Sequence, residues 1–142
     1  MNFEPIEKSD IDFLLSANAF FKDGWTESML VSAFNAGNFY GYIASVNGEK
    51  AGFITFTVAV DTADIGDIFV FEKFRRQGIA RALLTLSAEK LKTLGVSKIF
   101  LEVRANNSAA ISLYLSQGFK EYLTRKKYYA DGEDALCMSK EI

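Results

Sequence analysis

The chain has no histidine, one cysteine, one proline and one tryptophan in 142 residues. Without histidine, the Ser-His-Asp and Cys-His routes to an activated nucleophile are closed, and a zinc site loses a principal ligand. No metal is expected. Any general base must be a carboxylate, a Tyr, Lys or Cys side chain, or a relayed water. The lone Cys137 excludes an intramolecular disulfide. No apolar run reaches the length of a membrane span, and the first residues lack a signal-peptide pattern, so no membrane partner is expected and the cytoplasm is the expected compartment. Neither charge dominates. The 16 Lys and Arg stand against 18 Asp and Glu, for a net −2, which argues against general affinity for nucleic acid.

What is present is core material: 49% of the chain is hydrophobic, with 13 Phe and 6 Tyr. The length predicts one domain over 1–142. Residues 2–7 read as an edge strand, where Pro5 is tolerated. Ser9 and Asp10 cap a helix expected over 9–20, with Ile11, Leu14, Leu15 and Ala19 as its stripe and Phe20-Phe21 at its end. Asp23-Gly24 is a turn. Thr26 is the expected N-cap of a helix over 27–36. Trp25 just before it either staples that helix entry or forms a wall of a substrate cleft. Residues 39–46 and 50–60 read as strands joined at Asn47-Gly48, a strong hairpin signal. A strand over 64–71, an amphipathic helix over 77–94 and a buried strand over 97–104 follow. A short helix, 108–117, and two strands, 119–128 and 134–140, turning at Asp131-Gly132, complete the chain. This order predicts a mixed α/β sheet with a parallel element in its middle.

The centre of the pattern is Arg75-Arg76-Gln77-Gly78-Ile79-Ala80. A loop opening a helix with small residues leaves backbone N–H groups without partners, and these, with the helix dipole, favour an anion. Arg75, Arg76 and Arg81 add positive charge there. No Gly-Lys-Ser/Thr follows, so this is not a P-loop, and the dinucleotide fingerprint is missing. A phosphate-binding turn and a purely structural turn both fit. Further along, Glu102 stands inside an apolar strand. Burial would raise its pKa, as a base working near neutrality needs; alternatively it pairs with Arg104, two residues on and on the same strand face. Tyr114 sits at helical spacing with Ile111 and Leu115, as core or as a functional phenol. Asn107 is a cap or a ligand contact. Tyr128 and Tyr129 close a cleft or pack a sheet edge. Cys137 reads as a small core residue.

The order of these signals resembles the GNAT superfamily of acetyl-CoA-dependent N-acetyltransferases. These are a strand, an Arg-x-x-Gly-x-Ala turn, an amphipathic helix, a strand with an embedded Glu, an Asn-capped helix carrying Tyr, and a terminal hairpin. Within it, Leu101-Glu102-Val103-Arg104-Ala105-Asn106-Asn107-Ser108, the Tyr114 helix with Gly118-Phe119 after it, and the tail from Arg125 through Tyr128-Tyr129 to Ala135 resemble the ribosomal-protein alanine N-acetyltransferase group. Trp25-Thr26 is similar to that group's N-terminal Trp-Ser/Thr.

The resemblance implies an α/β (α+β) fold: a central, mostly antiparallel sheet of about seven strands with a splayed parallel pair, flanked by about four helices. It implies acetyl-CoA as cosubstrate. Backbone groups of Ile68, Phe69 and Val70 would meet the pantetheine arm, the turn from Arg75 and Arg76 through Gln77, Gly78, Ile79 and Ala80 to Arg81 would hold the pyrophosphate, and Asn107 would contact the cofactor. Glu102 would be the general base and Tyr114 the general acid, in direct transfer to an amine. Trp25, Tyr128 and Tyr129 would line the acceptor cleft. The acceptor would be the N-terminal α-amine of a protein, of the ribosomal-protein alanine type; a small-molecule amine is the alternative acceptor, and a non-catalytic acyl-CoA-binding module the alternative class. A monomer or a homodimer is expected. The chain departs from the group's pattern at Gly66, at Phe71-Glu72, at Ala80 and at Ala130 after the Tyr pair.

Overall fold

The computed structural model describes residues 1–20 and 23–142; Phe21, expected at a helix end, lies outside the described residues. In chain order the strands are β1 (Asn2–Pro5), β2 (Phe39–Val46), β3 (Glu49–Ala59), β4 (Thr62–Val70), β5 (Lys98–Arg104), β6 (Lys120–Arg125) and β7 (Ala135–Glu141). The α-helices are α1 (Ile11–Ser16), α2 (Glu27–Ala36), α3 (Ile79–Thr93) and α4 (Ser108–Ser116). The strands form one sheet in the order β1-β2-β3-β4-β5-β7-β6. Every neighbouring pair is antiparallel except β4 with β5. The expected mixed seven-stranded sheet with a central parallel pair and four helices is therefore the fold.

Two helix layers cover the sheet. Ile79, Leu83, Leu84 and Leu91 of α3, with Tyr114 of α4 and Phe119, pack on Ile54, Phe56, Ala63, Ile99 and Met138. Each large apolar side chain buried this way contributes on the order of 1.5–3 kcal/mol. On the other face, Ile11 and Leu14 of α1 and Leu30 of α2 enclose Phe39, Ile43 and Phe53. Thr26 caps α2 as expected, its hydroxyl accepting from the Met29 amide at 3.1 Å.

Most boundaries shift by one or two residues from the sequence reading, and three larger or structurally explained differences stand out. The helix expected over 9–20 is only α-helical over Ile11–Ser16, flanked by 3-10 turns at Lys8–Asp10 and Ala17–Ala19. A reciprocal cap at its start, in which the Glu7 amide donates to Asp10 Oδ2 at 2.8 Å, tightens the first turn. Val60, expected in a strand, is instead the first residue of a two-residue turn to β4, with φ +57°. The strand expected to run to 128 ends at Arg125, because Lys127 turns left-handed (φ +51°) and its amide donates to Asp134 Oδ1 at 2.9 Å.

Candidate active site

The sheet itself makes the site. β4 and β5 pair in parallel only at Thr62–Lys98, Ala63–Ile99 and Asp64–Phe100. Beyond Asp64 the strands diverge, so one edge of β4 from residue 65 to 70 is not paired to β5. A bulge sharpens the divergence. Between the Ile54–Ile68 and Phe56–Ile65 pairs, Gly66 and Asp67 together oppose Thr55. The buried Thr55 hydroxyl takes up the Asp67 amide at 3.0 Å. Such a bulge bends a strand and re-aims its side chains. Gly66 is required by space. A Cβ there would stand 2.8 Å from Thr55 Oγ1 and 3.1 Å from Trp25 Cζ2.

Two cavities open on either side of this notch. The first, of about 450 Å³, runs between β4 and α4 and is lined by Ile68, Phe69, Val70, Ala80, Asn107 and Tyr114, among others. Arg75 closes its far end, where Nε donates to the Val70 carbonyl at 2.9 Å. A smaller adjoining cavity is lined by Arg75, Arg76, Gly78, Ile79, Ala80 and Arg81. There Arg76 (φ +65°) and Gly78 (φ +77°) are both left-handed, which curls the backbone into α3, and no side chain caps the first turn of that helix. Alternating handedness of this kind gathers N–H groups into an anion-binding concavity. Gln77 is exposed and lies off the lining. Asn107 does cap α4, its Oδ1 accepting from the Ala110 amide at 3.2 Å, and also borders the groove. The Tyr114 ring is buried against Phe119. Burial, then the nearby charge of Asp67 and then Tyr129, push its phenol well above the ordinary value, so it is protonated across the physiological range.

The second cavity, about 700 Å³, lies over the opposite side of the notch. Glu102, Tyr128 and Tyr129 border it with Asp64, Arg104 and Arg125. Glu102 differs from both sequence readings. It is exposed rather than buried, because its strand face looks into the cleft. Its ion-pair partner is Arg125 (3.7 Å), not Arg104. Arg104 instead reaches Asp23 and Asp131. A hydrogen bond to Glu102 and its charge raise the Tyr128 pKa. Burial first, then Glu102, lifts the Tyr129 phenol to about 12. Trp25 is not on the lining of this cleft. It packs edge-on to Phe39 (5.5 Å between centroids) and backs Gly66 from behind.

The desolvation expected at Glu102 is found at Asp67, a residue the sequence reading passed over. Asp67 borders both large cavities. Its Oδ2 is shut off from solvent and has no hydrogen-bond partner among the described residues. Burial pushes its pKa up to about 6, opposed by a hydrogen bond from Trp25 and aided by Asp23. The signal was an Asp after a Gly inside an apolar run, a combination that marks a bulge near a site. Among the described residues, no group of three His, Cys, Asp or Glu side chains is placed to hold a metal ion.

Comparison with known proteins agrees with this geometry. The profile of the acetyltransferase (GNAT) family matches residues 11–119. The chain is 41% identical over 122 residues to a [ribosomal protein bS18]-alanine N-acetyltransferase of Escherichia coli K12, covering 83% of this chain and 81% of that one. It is 38% identical over 111 residues to an N-alpha-acetyltransferase of Sulfurisphaera tokodaii, covering 69% and 66%. The crystal structure of the ribosomal-protein-S18-alanine N-acetyltransferase from Escherichia coli superposes with a TM-score of 0.90 at 34% identity, covering 99% of this chain and 93% of that one. A splayed parallel pair, an uncapped helix start after an Arg-rich turn and these matches lead to one conclusion: the chain belongs to the acetyltransferase (GNAT) family and is an acetyl-CoA-dependent N-acetyltransferase.

Proposed function

We propose that the chain acetylates the N-terminal α-amine of a protein, of the ribosomal-protein alanine type. The reading is supported by one geometric fact above the others. A narrow groove and a wider cleft meet at Asp67, with Tyr114 on the groove side and Glu102 on the cleft side. The groove fits acetyl-CoA: the edge of β4 not paired to β5 can receive an extended arm, and the turn at residues 76–81 suits its pyrophosphate. Bound there, acetyl-CoA supplies the activated acetyl group. The wider cleft suits a chain end lying between Tyr128-Tyr129 and the sheet.

An amine attacks only when neutral. Glu102, open to water in the cleft, removes a proton from the acceptor ammonium, directly or through a water. As the new C–N bond forms and the C–S bond breaks, the protonated Tyr114 gives its proton to the departing sulfur, and the proton that the acylated nitrogen then sheds passes through water and restores the phenol. The two roles fall to separate side chains on opposite sides of the notch. No nucleophile is needed for a covalent intermediate.

The test is release of free thiol from acetyl-CoA with a panel of peptides and small amines. An Ala-initiated peptide is the expected acceptor. Glu102→Gln and Tyr114→Phe are each expected to lower kcat by about 10²–10⁴-fold. Unchanged turnover in both would remove the assignment. Acetylation of small amines alone would move the acceptor to that class.

A further inference from the structure

We propose that Arg104 is the positioning residue of the acceptor cleft, a single guanidinium that holds both of its walls against the sheet. The inference rests on reading the 700 Å³ cleft as the acceptor site. Arg104 ends β5, and four-fifths of its side chain is shielded from solvent. Its Nε and NH2 both engage Asp23 Oδ2, at 2.9 and 2.7 Å. Its NH1 engages both oxygens of Asp131, at 3.0 and 2.9 Å. Its plane lies over the Tyr129 ring, 4.2 Å from the centroid. Asp23 belongs to the segment that leads into α2, and Asp131 to the loop between β6 and β7. Asp23 of the first segment and Tyr128 and Tyr129 of the second line the cleft, and 81 and 27 residues of chain separate Asp23 and Asp131 from Arg104.

The consequence runs through aromatic contacts. Tyr129 stands edge-on to Tyr128, 5.2 Å between centroids, and Tyr128 borders the cleft beside Glu102, under the Arg125 guanidinium that pairs with Glu102. Fixing Tyr129 therefore fixes the ring beside Glu102. Only an arginine can do this: it offers a planar fork with five donors and a stacking face, whereas lysine offers a point charge. None of these contacts reaches the cofactor groove, which Arg104 does not line.

The experiment combines kinetics and amide hydrogen exchange on Arg104→Lys and Arg104→Gln in the full chain. The expected result is faster exchange in residues 23–27 and 128–134 together. KM for an Ala-initiated peptide rises on the order of 10- to 100-fold, while the acetyl-CoA dissociation constant stays within about twofold. Arg104→Lys falls closer to Arg104→Gln than to the unmodified enzyme, since charge alone does not restore the fork. Asp131→Asn, which cuts one arm, is expected to loosen 23–27 as well. Unchanged exchange in either wall, or an equal loss of acetyl-CoA binding, overturns the Arg104 role. Failure of the unmodified enzyme to acetylate any peptide or amine overturns instead the reading of the cleft on which that role rests.

Discussion

A carboxylate with one oxygen shut off from solvent and unbonded among the described residues is ionised in the folded state at a cost, and Asp67 carries that cost. Its folded pKa is raised to about 6 from 3.8. The folded state therefore binds a proton more tightly than the unfolded chain. The resulting stability is fully present below about pH 4 and is lost as pH rises through about 6. Linkage sets the loss at roughly 3 kcal/mol at most, and about 1–2 kcal/mol once partial exposure is discounted. Asp67→Asn is accordingly expected to raise the unfolding free energy at pH 8 by that amount and to leave it unchanged at pH 4, read by urea titration at both values. Equal effects at the two pH values would assign the change to packing. Of the two carboxylates at the notch, Glu102 was legible because a charge interrupts an apolar strand. Asp67 was not, because it stands in the β4 bulge itself, where the inward–outward alternation slips by one residue. Nor does sequence show that Arg104 turns from Glu102 toward Asp23 and Asp131, since those partners meet it only through the fold.

At the level of elements, the legible parts were those with local chemistry: the Asn47-Gly48 hairpin, the Thr26 cap, the stripe of α3 and the apolar β5. The turn between β3 and β4 was not, for a physical reason. It needs φ > 0 at its first residue, and that residue is Val60, a β-branched side chain that avoids this region. Nothing repays the strain through packing, because Val60 is 92% exposed. The hairpin holds it there through the long β3–β4 ladder and the Ser97 amide, which donates to the Asp61 carbonyl at 2.8 Å. Val60→Gly is thus expected to stabilise the chain by about 1 kcal/mol. A thermal melt reads this as a higher midpoint with acetyl-CoA binding unchanged. A lower midpoint would mean that Val60 makes a contact worth more than its backbone strain.

The whole molecule is a sheet in two parts joined by a short seam. Strands β1 to β4 and strands β5, β7 and β6 share only three parallel residue pairs, and α3 packs across the first part while α4 follows the second. The groove proposed to take acetyl-CoA lies along that seam, with β4 and α3 on one side and α4 on the other. A ligand that fills it binds both parts at once and does not bind the unfolded chain. Acetyl-CoA at 100 times its dissociation constant is expected to add about 2.7 kcal/mol, a midpoint shift of roughly 5–10 °C for a chain of this size. The shift separates the two cavities. Glu102→Gln should keep it, because Glu102 lies in the wider cleft. Gly78→Val should lose most of it. A β-branched residue resists φ +77°, although nothing lies within 4 Å of the position, so the loss would report backbone geometry at the helix start rather than crowding. Equal shifts in all three proteins would place the ligand's main anchor away from the turn at residues 75–80.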